Sequence, residues 1–249
     1  MNVNQLSRCS TQWQIDADSK AKARTRQLLE SSIISAYAAS SSNCRPPALT
    51  PLRYVWRLVG MYHLCHSTPQ LMKQAAQRFA SAGRWKEARW AADKAIEEQG
   101  HDQLALLDIE SLGYDAEALV KAAVPPAAAH LVDYFTRSVQ ASDPINCIAY
   151  SFTLERIAIG IAENHIKAVE AMLLQAQATR CLRVHSSSGN DVKHVEETLV
   201  LISDLAFEQQ LQVAEACYQV ALLCINPPRE SYASEAELED LLRPLKQRT

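Results

Sequence analysis

Six side chains able to ligate a metal stand in a 249-residue chain that is otherwise patterned as helix: Glu98, His101, Glu155, His185, Asp191 and His194. Residues three apart on a helix share a face. Glu98-Gln99-Gly100-His101 and Asp191-Val192-Lys193-His194 therefore each aim one carboxylate and one imidazole at a common point. Hard carboxylates mixed with imidazoles suit iron or manganese, whereas a structural zinc site usually recruits thiolates. The chemistry open to such a set is that of a non-heme metal oxidase.

Each piece also has a plainer reading. Glu97-Glu98 and the residues after them put polar groups on every side of a helix, as a solvated face would. Gly100 inside that helix costs about 1 kcal/mol relative to alanine, so something needs close approach there. Glu155 interrupts the apolar run Ile148–Ile159, where it either pairs with Arg156 or bridges something inside. A buried acid is costly unless it is paired or metal-bound. Asp191 read alone is a helix N-cap or a charge set against the helix dipole. Glu97, four residues before His101, shares its face and is an alternative to Glu98. Glu163, His165, His63 and His66 read as surface or locally satisfied groups, with His63 and His66 held as extra ligands in reserve.

The elements that must position these groups follow from 3.6-residue periodicity. Residues 1–16 are polar and expected to be flexible. A helix is expected over about 17–39, ending in the cluster at 40–43 and Pro46-Pro47. A second starts at Thr50-Pro51 and is expected to break at Ser67-Thr68-Pro69, with a third over 70–80. One long helix over 85–112 stops at Gly113. Shorter ones cover 114–121 and 127–139, and another runs from Asp143-Pro144 to about 178. After a Ser/Gly/Asn loop at 186–190, a long helix spans 191–224. The expectation is an all-α fold: a single helical bundle of about seven core helices over 17–226, followed by a charged tail over 227–249 with one short amphipathic helix.

Composition agrees. Glycine is scarce, at six residues, and 48% of residues are hydrophobic against 21% charged, as in an ordinary globular domain. A net charge of −3 disfavours nucleic acid as a partner. The seven cysteines include no C-x-x-C pair and read as reduced thiols. No apolar run approaches the roughly 20 residues that span a bilayer, and no secretory leader is evident, so a cytoplasmic location is expected.

Three carboxylates and three imidazoles in one helical domain approach the donor set of the di-iron carboxylate bundles. At this point the chain resembles the heme-oxygenase-like diiron oxidases and oxygenases of the TenA/PqqC-like superfamily. The resemblance rests on Tyr62-His63-Leu64-Cys65-His66-Ser67-Thr68-Pro69, on Glu97–Leu104 with Asp108–Gly113, on Glu155, and on His185 through Glu197. It implies a seven-helix bundle binding two Fe(II) ions per chain, with Glu98, His101, Glu155, His185, Asp191 and His194 as ligands. Glu155 is then the bridge and the catalytic carboxylate. Dioxygen and an amino-acid or fatty-acid-like substrate are the implied reactants, the outcomes being N-oxygenation, desaturation or oxidative cleavage. A homodimer is implied as well. Two departures concern the second iron. The spacing from His185 to Asp191 is longer than the family pattern, and His63 and His66 stand where some members have a carboxylate.

Arg156, Arg180 and Arg183 are the sequence candidates to hold a substrate carboxylate. Two other function classes remain in play. One is a metal-free enzyme of the same superfamily using Cys147 or Cys181. The other is a helical interaction protein in which the same residues are surface charges and the 229–249 tail binds a partner.

Overall fold

The computed structural model describes residues 3–40, 47–161, 163–173, 176–186, 191–225 and 232–247, and among them no β-strand is found. The helices are α1 (Val3–Ser40), α2 (Pro51–Ser81), α3 (Trp85–Glu97), α4 (His101–Ser111), α5 (Ala116–Ala122) and α6 (Pro126–Gln140). They continue as α7 (Asn146–Ala158), α8 (Glu163–Leu173), α9 (Arg180–Val184), α10 (Asp191–Ser203), α11 (Phe207–Ile225) and α12 (Glu235–Leu242). Short 3₁₀ turns cover Ala176–Ala178 and Arg243–Leu245. The expected loop at 187–190, the Ser41-Ser42-Asn43 and Pro46 break, and Pro227-Pro228 lie outside the described residues.

Several helix boundaries differ from the sequence expectation, each for a local reason. α1 begins at Val3, not near residue 17. No glycine or proline occurs in its first turns to interrupt it. α2 starts as expected, with the Thr50 hydroxyl accepting from Arg53 N and Pro51 in the first turn. It then runs through Pro69 without ending. The Ser67 and Thr68 hydroxyls both donate to the Leu64 carbonyl, in the turn that Pro69 disturbs. Packing of α2 against α3, α4 and α6 outweighs the propensity cost.

The long helix expected over 85–112 is two helices. Gly100 adopts φ +89°, the left-handed region that ends a helix, so Glu98 caps α3 and His101 opens α4. The helix expected from residue 143 to about 178 instead begins at Asn146 and ends at Ala158, before the turn at Ile159-Gly160. α10 and α11 are separated at Asp204–Ala206, where the Gln210 side-chain amide donates to the Leu205 carbonyl.

Two apolar cores result, and α2 contributes to both. One gathers Leu29, Met72, Phe79, Phe135, Phe152 and Val220, all essentially buried. The other gathers Tyr54, Leu58, Ile109, Leu119, Ile166 and Cys181. Each large apolar side chain withdrawn from water contributes about 1.5–3 kcal/mol, which fixes the helices that carry the polar groups. The last segment belongs to the second core: Leu238 and Leu242 are buried in it, and α12 packs on α2. A Ser234–Glu237 capping box starts α12. Asp115 N donates to the Leu245 carbonyl and Gln247 N to the Gly113 carbonyl, tying this end of the chain to the body.

Candidate metal centre

The six donors singled out from sequence come together at the seam between the two cores. Glu98 and His101 lie on either side of the Gly100 break, and Glu155 is on α7. His185 follows α9, and Asp191 and His194 occupy the first turn of α10. Donor atoms of Glu98, His101 and His185 lie within 4.8 Å of one another, as do those of Glu98, Glu155 and His194. Asp191 stands between the groups, 3.5 Å from His185 Nδ1 and 3.9 Å from His194 Nδ1.

Glu98, Glu155, Asp191 and His194 are all buried, between 2% and 8% exposed. That removes the reading of these residues as surface charges. Nor does Glu155 pair with Arg156, which instead reaches Glu30 on α1 at 2.8 Å. The counter-ion of Glu155 is Lys94 on α3, itself only 2% exposed. Lys94 Nζ lies 3.0 Å from Glu155 Oε1 and 3.2 Å from Glu97 Oε2, within ion-pair reach although poorly aligned for hydrogen bonding. Ser151 Oγ donates to the same Oε1. His101 Nδ1 is 2.9 Å from Glu98 Oε2, and His194 Nε2 is 3.4 Å from Glu97 Oε2.

Burial and neighbours pull the titration of these groups apart. Burial pushes the Glu155 carboxyl up to about 7 against the pull of Lys94. Burial alone would lower His185, but Asp191, Cys181 and Glu98 outweigh it and take the imidazole up to about 9. Burial and Lys94 together hold His194 below its ordinary value.

The donor set fits a metal ion on one observation above the others. Glu155 Oε2, Asp191 Oδ2, His194 Nδ1 and Glu97 Oε2 are buried atoms without a hydrogen-bond partner. Buried polar atoms are nearly always satisfied, so a convergence of unsatisfied ones marks a place where something else binds.

No protein-family model matches the chain, and no curated protein matches it. A crystal structure from Shewanella denitrificans OS217 is similar over 91% of this chain and 90% of that one, with a TM-score of 0.61 and 21% identity. It is described as a domain of unknown function with a heme oxygenase-like fold. The fold is heme oxygenase-like. This bears out the all-α architecture and the fold read from sequence.

Within this heme oxygenase-like bundle a cavity of about 320 Å³ borders the polar cluster. Glu98, Glu155, His185 and Asp191 form its polar wall, and Met61, Met72, Leu131, Leu154, Ile157 and Leu182 line much of the rest. A neighbouring pocket of about 510 Å³ shares Arg57, Met61, Leu64, Leu131, Ile157 and Cys224 with it, so the exposed Arg57 lines both. Arg57 makes no ion pair among the described residues. The arginines proposed from sequence are committed elsewhere: Arg156 to Glu30, Arg180 to Asp108, and Arg183 to Glu163 and Glu170. His63 and His66 are also outside the cluster. His63 Nε2 contacts the Ala123 carbonyl, and His66 stacks on Tyr62 and meets Asp102 at 2.8 Å. Burial pushes the Cys147 thiol up, and Cys147 does not line the cavity, which disfavours it as a nucleophile.

Sequence reasoning missed Lys94, Arg57 and Tyr150. Lys94 shares the inward face of α3 with Trp90 and Ala91, four and three residues earlier, and that spacing could have found it. Arg57 and Tyr150 carry no comparable signal, because which cavity they meet depends on the packing of distant helices.

Proposed function

We propose that this protein is a non-heme iron oxidase or oxygenase that uses dioxygen to oxidise a small carboxylic acid or amino acid. The reading is supported above all by two buried carboxylate oxygens without a hydrogen-bond partner, Glu155 Oε2 and Asp191 Oδ2, in the wall of an apolar cavity, with the partnerless His194 Nδ1 in the same cluster. Glu98, His101, Glu155, His185, Asp191 and His194 are the residues that would hold the metal. Iron(II) bound there supplies the electrons that dioxygen needs to become an oxidant.

The rest of the work belongs to the chain. The apolar side chains of the cavity exclude water from the reacting centre, and a volume of about 320 Å³ matches a small ligand. Arg57, which lines both pockets, binds the substrate carboxylate, which a guanidinium does with two parallel hydrogen bonds. The apolar part of the substrate then lies inward, toward Glu98, Glu155 and His185. Tyr150 lines the cavity with its hydroxyl unpartnered and its ring stacked on Phe135 at 4.2 Å. Burial pushes that hydroxyl well up, so it stays protonated and donates to a polar group of the substrate.

The test is anaerobic loading with ferrous iron, a count of bound iron, and then oxygen uptake with a panel of apolar amino acids and medium-chain carboxylic acids. At least one acid is expected to accelerate uptake. Glu155→Ala should abolish that uptake with helical content intact, and Arg57→Met should raise KM for the acid without loss of iron. Specific iron binding with no acid-stimulated uptake overturns the substrate class. Full activity in Glu155→Ala overturns the assignment of the centre.

A further inference from the structure

The cluster contains a cation already. Lys94 rises from α3 into the carboxylate cage, and its ammonium sits between Glu155 and Glu97, whose Oε2 also meets His194 Nε2. A lysine only 2% exposed is rare in any fold and needs a resident anion to stay charged. The two carboxylates it touches belong to one side of the cluster. The other side is the group formed by Glu98, His101 and His185, whose donor atoms lie within 4.8 Å of one another.

Glu155 shows how the two sides differ. Its Oε1 faces the Lys94 ammonium at 3.0 Å and accepts from Ser151 Oγ at 3.2 Å. Its Oε2 has no partner. A carboxylate that bridges two metal ions offers one oxygen to each. Here one oxygen is already covered by a cation and a hydroxyl, so Glu155 has a single oxygen left to give. A divalent ion placed on the Lys94 side would meet the ammonium at close range, inside a buried site where repulsion is poorly screened.

The surroundings divide the same way. Lys94 and Glu97 border an open groove of about 580 Å³ between α3 and α10. Glu98 and His185 border the apolar cavity instead, where Glu155 and Asp191 also reach. With His101, which groups with Glu98 and His185, this side offers two imidazoles and one carboxylate, the donor set of mononuclear non-heme iron sites, which keep coordination positions open for reactants.

We propose that this chain binds one divalent metal ion, held by Glu98, His101 and His185, and that the Lys94 ammonium fills the second cation position between Glu97 and Glu155. The proposal rests on the metal-dependent reading above and changes its stoichiometry. Glu155 becomes a carboxylate tethered to Lys94, with its free oxygen turned toward the metal.

The experiment is a cobalt(II) count on the full-length chain, by elemental analysis after saturation and desalting, with circular dichroism to verify folding. The wild-type chain should retain one cobalt, and His101→Ala none. Lys94→Met, which keeps the length and apolar stem but removes the charge, should retain two, because Glu97, Glu155 and His194 are released. Lys94→Gln gives the same readout if the methionine variant misfolds. Two cobalt ions in the wild type, or one in the folded Lys94 variants, overturn the proposal while leaving the metal reading in place. No retained cobalt in any of these proteins overturns the metal reading itself.

Discussion

Asp108 and Glu155 are both buried acids on core helices, yet the protein treats them in opposite ways. Asp108 is fully buried and has both oxygens satisfied: Oδ1 accepts from Arg180 N and the Arg180 guanidinium, and Oδ2 from Cys181 N at 2.9 Å. Glu155 satisfies one oxygen with Lys94 and Ser151 and leaves the other bare. Burial pushes both carboxyls up, so desolvation alone does not separate them. Completeness of hydrogen bonding does. A closed set of partners specifies structure, and an open one keeps a place for a ligand. The two are also connected, because the helix that Asp108 pins at its start, α9, delivers His185 at its end.

The largest effect that would test this contrast is loss of the closed site. Asp108→Ala strips the partners from two backbone N–H groups and from Arg180, and is expected to cost about 3 kcal/mol. Urea unfolding of the metal-free protein measures it. A cost below about 1 kcal/mol would mean that water replaces the carboxylate freely, and the structural role would fall.

The open site should answer differently. Replacing Lys94 and Glu155 together by methionine and leucine removes a buried ion pair and leaves only the part-exposed Glu97 carboxylate without its ammonium. Such exchanges are commonly neutral, or stabilising by about 1–4 kcal/mol. The metal-free double variant should therefore unfold at a urea concentration equal to or above that of the wild type while losing oxygen chemistry. Strong destabilisation would show that the pair holds the fold together, which would place Glu155 in the same class as Asp108.

How much of this was legible in the sequence follows the range of the forces involved. The all-α class, the Thr50-Pro51 start of α2 and the spacing of Asp191 with His194 on α10 are local patterns, and they were readable, whereas Glu98 and His101 meet across the Gly100 turn and not on one helix face. Gathering six distant donors to one seam was anticipated from their types and from the family resemblance, not from any local rule. The continuation of α2 through Pro69 was not readable, since neighbouring helices and two hydroxyls override a strong local breaker. The burial of Lys94 was missed for a related reason. Its spacing from Trp90 and Ala91 places it on the inward face of α3, but that its partner is an acid on α7 depends on how the two helices pack. The docking of α12 escaped too, because only Leu238 and Leu242 of that charged segment reach the core.

The smallest predicted effect on stability concerns Gly100, where the sequence hinted at close approach and the structure supplies a different reason. A Cβ built there would meet nothing within 4 Å, so space is not the constraint. The constraint is φ +89°, a region that side-chain-bearing residues enter at a cost of about 1–2 kcal/mol. Gly100→Ala should lower stability by about 1 kcal/mol. Its effect on metal should be out of proportion, because Gly100 sets the turn that brings Glu98 on α3 back toward His101 on α4. If the alanine chain relaxes toward one continuous helix, both residues move while the Asp108 site does not. Cobalt affinity should then fall by tenfold or more, as about 1.4 kcal/mol in binding requires, beyond the loss of about 1 kcal/mol in urea stability. Equal small losses in both would mean that the break in the helix serves packing alone, and that the open site tolerates movement as well as the closed one.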